Sequence, residues 1–450
     1  QLAARAVAPL GSVRSHNGAA ARLGRTTVSG AALPSGFRKL SLADRRAAVM
    51  AAHPAITTAS FGSDPEMVEL ADVMVESSLG YLALPLGLAT GVLVDGAAYN
   101  VPMATEEPSV IAAAGYGAAI VSRAGGFQTR AGETVTTGQL FVERCPADAA
   151  QRVRAAVDAL RGAAAPLLER MTARGGGWRG MDVTPLSESG LLRVQVHVDV
   201  CDAMGANVVN SVMEVLRAPV EELTGGSVVM AILTNAAEAR TTTARFSVPT
   251  SRLSRAGLSG EEVARRIVVA NTIATEDPSR AVTHNKGIMN GVTALAIATG
   301  NDTRAVEAAV HSYAGRSGRY RALTTYCVEA NELRGEVTLP LPLGTVGGAA
   351  GIHPTTAAAL EILGRPGATD LARVGAAIGL AQNLAALFAL VSEGIQRGHM
   401  GLHAERIAWA AGARGTERTA VVAAMRERHE YGLDTARNEL ARLRGAGRAE

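Results

Sequence analysis

Of the 44 basic residues in the chain, only Lys39 and Lys286 are lysines. A planar guanidinium cannot replace a compact ammonium that must act as a point charge or change its protonation state. A lysine kept in an arginine-dominated chain therefore marks a place where an amine matters, unless it is a surface survivor of no consequence. Lys286 stands in Thr283-His284-Asn285-Lys286-Gly287-Ile288-Met289-Asn290-Gly291, whose glycines and asparagines fit a helix packed closely beside a ligand. Asp302 follows in Thr299-Gly300-Asn301-Asp302, after a largely apolar run over 292–298. Such a carboxylate either partners the Lys286 ammonium or caps a helix over 303–313. Glu106-Glu107-Pro108-Ser109 sets two acids before a helix start. One can cap it, while repulsion between neighbouring carboxylates favours a held proton, the property of a proton donor. In Gly398-His399-Met400-Gly401-Leu402-His403 the two histidines have the spacing of a helical metal pair. No HExxH motif or second ligand cluster accompanies them, so no metal is expected, and His399 reads as a general acid on a movable segment. Gly115-Tyr116-Gly117 falls short of the GxGxxG fingerprint. Asp199-Val200-Cys201-Asp202-Ala203-Met204-Gly205-Ala206-Asn207 instead leads from an alternating strand into a helix, and is either a pyrophosphate cradle at a helix N-terminus or a plain turn.

The elements that must position these groups follow from periodicity. Short helices are expected over 40–49, with Ser41 as cap, and over 64–78. A strand over 99–103 turns into an Ala/Gly-rich helix running to about Ser122. Between 135 and 234 the texture changes to strand 139–143, helix 149–170, strand 191–200, helix 206–216 and strand 228–233, a compact α+β unit inserted into a larger domain. Beyond Asn235 helices are expected to dominate. From Ala404 onward the chain is Arg/Glu-rich with breaks at Gly412, Gly415 and Gly432, the pattern of a solvated helical cap. The apolar run 376–391, interrupted by Gln382 and Asn383, is too short and polar for a membrane span and reads as a buried helix.

Composition narrows the function classes. A length of 450 residues implies two or three domains. With 3% aromatics and 49 glycines, packing must rely on close backbone approach. A net charge of +3, spread along the chain, argues against nucleic acid as a partner. Cys145, Cys201 and Cys327 are too scattered for a disulfide framework, which favours a reducing, cytoplasmic setting. Residues 1–34 read as a disordered extension.

Taken together, VPMATEEPS, DAMGAN, RAVTHNKGIMNG, ATGND, PLPLGTVGGAAGIHP, GLAQNL and EGIQRGHMGLHA resemble the 3-hydroxy-3-methylglutaryl-CoA reductases of the soluble class, in the family's own motif order. The resemblance implies a catalytic set of Glu107, Lys286, Asp302 and His399. It implies that Ser109, Asn235, Arg280 and Asn290 grip the hydroxymethylglutaryl group, and that Arg38 and Gln382 lie near CoA. Asp202, Met204, Gly205, Ala206 and Asn207 correspond to the dinucleotide loop. The implied fold is α+β: a large, mainly helical domain (35–134 and 235–393), an inserted ferredoxin-like cofactor domain (135–234) and a C-terminal flap (394–450). The expected partners are hydroxymethylglutaryl-CoA, mevalonate and CoA, with active sites shared in at least a homodimer. NADH or NADPH is the cofactor, with Glu169 favouring NADH through a ribose 2′-hydroxyl. Two other readings remain open: a Schiff-base enzyme built on Lys286, and a CoA- or nucleotide-binding regulator, which the presence of all four catalytic side chains disfavours.

Overall fold

Ser41 accepts a hydrogen bond from the Asp44 N–H and starts α1 (Leu42–Ala52). Asp64 does the same for Glu66 and Met67 at α2 (Pro65–Met74), whose first position is the helix-compatible Pro65. The computed structural model describes residues 33–446, apart from the side chains of 395–402 and 446, and the chain forms two units divided after Ala83. All but the last two residues of the expected extension 1–34 fall outside the described residues. In the first unit the buried Arg45 holds the two helices. Its Nε donates to Ser78 O at 2.9 Å, Nη1 donates to Leu40 O at 2.7 Å, and Nη2 pairs with Asp72. A buried guanidinium is tolerable when its donors are satisfied in this way.

The second unit opens with an antiparallel hairpin of β1 (Leu86–Val94) and β2 (Ala97–Ala104), followed by α3 (Val110–Ser122) and β3 (Gln128–Ala131). Next comes β4 (Val135–Glu143), α4 (Ala149–Ala155), α5 (Val157–Thr172), β5 (Gly177–Pro185), β6 (Leu192–Asp199), α6 (Ala206–Thr224) and β7 (Ser227–Leu233). These strands form an antiparallel sheet in the order β5-β6-β4-β7. Leu192, Val194, Val196 and Val198 of β6 alternate inward, and Val209, Val212, Met213, Leu216 and Val220 of α6 share their core. Gly138 of β4 lets the Met213 side chain pack close, because a Cβ there would meet its Sδ at 2.5 Å.

The chain continues with β8 (Thr241–Pro249), α7 (Gly260–Glu276), α8 (Pro278–Ala298), α9 (Thr303–Ala314), β9 (Thr324–Glu329), β10 (Glu332–Pro340) and α10 (Pro354–Ile362). It ends in α11 (Ala368–Val391), α12 (Ile395–Ala410), α13 (Gly415–Arg428) and α14 (Leu433–Ala446). A second antiparallel sheet, in the order β3-β8-β10-β9, packs on α11, which also meets α3 and α8. Seventeen of the 24 residues of α11 are buried, so the helix is apolar all round because protein surrounds it. Its length and composition would allow a membrane crossing, and it starts eight residues before the run that the sequence marks. Small residues let its neighbours approach. A Cβ on Gly117 of α3 would strike the carbonyl of Ala381, and one on Gly291 of α8 would lie 3.0 Å from Ile378 O. Helices α12–α14 share a separate core of Ala404, Ala408, Val421, Val422, Met425, Ala436 and Leu440.

Several expectations need correction. The helix expected over 149–170 is two helices broken at Ala156, and β1, β3 and β5 have no counterpart among the expected strands. The region beyond Asn235 holds three strands, β8 to β10, besides its helices.

Candidate active site

Asp277 accepts from the Ser279 N–H at 2.9 Å and, with Pro278 in the first turn, launches α8. Along that helix His284, Asn285, Ile288, Gly291, Val292 and Leu295 are buried. Lys286, Asn290, Thr293 and Ile297 recur at spacings of four, three and four, and line a cavity of about 290 Å³. The facing wall is the end of β2 and the turn after it, Ala104, Thr105, Glu106 and Glu107. That turn is set by Thr105 Oγ1, which accepts from the Glu107 N–H at 3.2 Å. These two walls thus bring to one cavity an ammonium, two carboxylates and an amide, drawn from sequence positions about 180 residues apart.

The buried face of α8 is pinned by a polar network. His284 Nε2 lies 2.5 Å from Thr324 Oγ1 and 3.2 Å from Asn383 Nδ2; Tyr326 Oη donates to Asn383 Oδ1 at 2.9 Å, and Thr324 Oγ1 to Asn271 Oδ1 at 2.7 Å. Burial, helped by the charge of Arg280, pushes the His284 imidazole down to about 4, so this ring is neutral at ordinary pH. Asn285 is fully buried; it donates to Arg321 O at 2.8 Å and accepts from the Leu323 N–H at 3.0 Å. Together these bonds fix the rotation of α8 that aims Lys286.

The other sequence candidates lie outside this cavity's lining. Asp302 caps α9, its Oδ1 accepting from the N–H groups of Arg304 at 2.9 Å and Ala305 at 3.2 Å, while Oδ2 faces Arg304 at 3.1 Å. Among the described residues no ion pair joins it to Lys286. Ser109 precedes α3 with a left-handed φ of 76°. Arg280 stands in the first turn of α8, Asn235 in the exposed loop after β7, and Gln382 is buried in α11 with Oε1 lacking a partner among the described residues. Arg38 lies in a 3₁₀ turn of the first unit. His399 falls within α12, and its side chain is outside the described residues.

A second focus forms where three distant motifs meet. Asp202 Oδ1 accepts from the Ala368 N–H at 2.8 Å and its carbonyl from the Thr345 N–H at 2.8 Å; Asn301 Oδ1 accepts from the Gly344 N–H at 2.7 Å. A Cβ on Gly344 would sit 2.5 Å from Met204 N, so only glycine permits the approach. Gly205 has a φ of 95°, and a Cβ there would strike Val200. It opens the 19-residue α6 with no side-chain cap, followed by Ala206 and Asn207. Free N–H groups at such a terminus suit a phosphate, so the loop fits a dinucleotide.

Two features escaped the sequence reading. Arg240 is buried and donates to Leu343 O at 2.6 Å and Met204 O at 3.1 Å, joining two of those motifs. Burial pushes its guanidinium down to about 10, against the pull of Asp199. Glu307 and His311 of α9 line the cavity of Lys286 and Glu107. Their i, i+4 spacing is visible in the chain, but their address is not.

The family profile described as hydroxymethylglutaryl-coenzyme A reductase matches residues 41–404. The chain is 43% identical to the 3-hydroxy-3-methylglutaryl-coenzyme A reductase of Archaeoglobus fulgidus, over 84% of this chain and 86% of that protein. It is 35% identical to the probable enzyme of Borreliella burgdorferi, over 74% and 77%. Among solved structures it is similar to the reductase of Streptococcus pneumoniae, with a TM-score of 0.72 at 40% identity over 91% of this chain and 99% of that one. A class II structure from the same organism, bound to NADPH in open conformations, gives a TM-score of 0.71 at 40% identity over 80% and 99%. On this evidence the chain belongs to the hydroxymethylglutaryl-coenzyme A reductase family.

Proposed function

We propose that the protein interconverts 3-hydroxy-3-methylglutaryl-CoA and mevalonate plus CoA, with the reacting acyl group in the cavity of Glu107, Lys286 and Asn290. The observation that carries this reading is the sharing of one cavity by the Lys286 ammonium and the Glu107 carboxyl. The dinucleotide, when bound, supplies hydride to the acyl carbon, once at the thioester and once at the aldehyde. Lys286 meets the negative charge that gathers on the acyl oxygen, where a fixed cation in a small cavity is worth most. Glu107 delivers a proton toward that oxygen in the second reduction. Asp302 orients Lys286, a role that requires its cap on α9 to be shared once substrate is in place. His399 protonates the sulfur of the departing CoA. Gly394, at φ 84° between α11 and α12, is a suitable hinge for the flap over 394–450 that bears this histidine. Ser109, Asn235, Arg280 and Asn290 bind the hydroxymethylglutaryl group, and Arg38 and Gln382 the CoA.

Asp202, Met204, Gly205, Ala206 and Asn207 hold the dinucleotide on the βαββαβ unit over 135–234, which we read as a ferredoxin-like cofactor domain inserted between 35–134 and 235–393. Glu169, exposed on α5, favours NADH. A second reading has its own support: Arg174, whose charge acts on the Cys201 thiol at the head of the loop, favours the 2′-phosphate of NADPH. The enzyme works as a cytoplasmic homodimer or larger homo-oligomer. A spectrophotometric assay with both cofactors in both directions tests the reading. Absorbance change that depends on hydroxymethylglutaryl-CoA or mevalonate supports it, and none with either cofactor defeats it.

A further inference from the structure

Three side chains that line the Lys286 cavity, Thr293, Glu307 and His311, join Tyr320 behind them in a chain that the mechanism above leaves unused. Thr293 Oγ1 of α8 donates to Glu307 Oε1 at 2.7 Å, and Glu307 Oε2 lies 2.9 Å from His311 Nε2. His311 Nδ1 is in turn 2.6 Å from Tyr320 Oη, with the two rings stacked at 5.9 Å. Glu307 and His311 both line the cavity that holds Glu106, Glu107 and Lys286. Their side chains keep 36% and 39% exposure, so each reaches solvent as well as the cavity. At about 30 Å³ per molecule, a volume of about 290 Å³ accommodates on the order of ten waters, enough to connect its walls.

We propose that His311 and Glu307 form a proton-loading pair that resupplies Glu107 after each turnover. The inference rests on the proton-donor role given to Glu107 above. The reaction adds two hydrides and two protons to the acyl-CoA, so every donor inside the cavity must be reloaded from bulk solvent. An imidazolium at His311 passes its Nε2 proton to Glu307 Oε2. Water in the cavity carries that proton to the Glu107 carboxylate that the reaction leaves behind, and the neutral ring takes a replacement from bulk solvent. Hydrogen bonds from His311 and then Thr293 hold the Glu307 carboxyl below its ordinary range, despite partial burial, so a proton placed on it is handed on rather than kept. Tyr320, whose phenol burial pushes up, stays protonated and fixes the ring from the other side. The charged or titratable groups facing His311 are Glu307 on its own helix, Tyr320 on the following loop, Lys286 on α8, and Glu106 and Glu107 before α3. Glu336 of β10 stands beside Tyr313 in a neighbouring cavity.

The test compares full-length parent, His311→Ala, Glu307→Gln and Glu107→Gln in steady-state reduction of hydroxymethylglutaryl-CoA, with and without added imidazole. The expected result for His311→Ala is a fall in kcat of roughly tenfold or more, up to the roughly hundredfold at which direct general acid–base effects begin, with KM unchanged. Imidazole should restore that kcat in a concentration-dependent way, and should leave the parent and Glu107→Gln unaffected. A kcat equal to the parent's, or a loss that imidazole does not repair, overturns the inference. If His311→Ala does not accumulate folded, Glu307→Gln decides: its kcat should fall at constant KM, with a displaced pH profile, and an unmoved profile overturns the proposal. An active Glu107→Gln would instead refute the role of Glu107 itself, which separates the two failures.

Discussion

The buried imidazole of His284 makes the stability of the protein depend on pH in a way that a single substitution should remove. Its folded-state value is pushed from 6.5 to about 4, first by burial and then by the charge of Arg280. Between those values the unfolded chain binds the proton and the folded chain does not, so unfolding free energy rises with pH across this window. The stabilisation is complete above about pH 6.5 and is lost as pH falls toward 4. From the two values the loss attributable to this ring is about 2 kcal/mol at pH 5 and about 3 kcal/mol at pH 4. His284→Gln keeps a polar group against Thr324 and Asn383 but does not titrate. Urea unfolding of both proteins at pH 4, 5, 6 and 7 isolates the effect, since the other carboxylates and histidines are common to both. The parent should lose about 2 kcal/mol more than the variant between pH 7 and 5. Parallel curves would refute the reasoning, because they would mean the ring is not shielded as the geometry requires.

Other consequences follow from close packing and from the cofactor loop. Gly117→Ala puts a methyl group against the Ala381 carbonyl and should cost about 1–3 kcal/mol in urea unfolding; unchanged stability would contradict the α3–α11 approach. Gly205→Ala combines a left-handed φ with a clash on Val200. It should raise KM for the dinucleotide several-fold by shifting the α6 N-terminus, with little change for hydroxymethylglutaryl-CoA; equal effects on both would contradict a cofactor role. Arg174→Ala should shift the NADH-to-NADPH rate ratio toward NADH if Arg174 contacts a 2′-phosphate, and leave it unmoved if Glu169 governs the choice.

Much of the architecture is legible locally, because the signals are local. Ser41, Asp64 and Asp302 announce helix starts by chemistry that needs only the next three residues. The alternation of β6 and the glycine breaks at Gly412 and Gly415 are of the same kind. What stayed hidden depends on partners far along the chain. In β8 the run Thr243 to Val248 does alternate polar and apolar residues, but it is short and starts with the buried, polar Thr242, while β5 is rich in glycine and charge and has no clean period of two. Ala156 breaks a helix without proline or glycine to mark it. At the site, Lys286 stood out because an amine survived among arginines, but the bonds that aim its helix come from Asn383 and Thr324. Glu307 and His311 look like an ordinary helical pair until α8 and α9 close on one cavity.

The most direct measurement is steady-state turnover of hydroxymethylglutaryl-CoA by Lys286→Arg and Lys286→Ala, each verified as folded. If the ammonium stabilises the oxygen that becomes anionic, both variants should lose about 100-fold or more in kcat while KM moves little. Turnover equal to that of the parent in either variant would contradict the account.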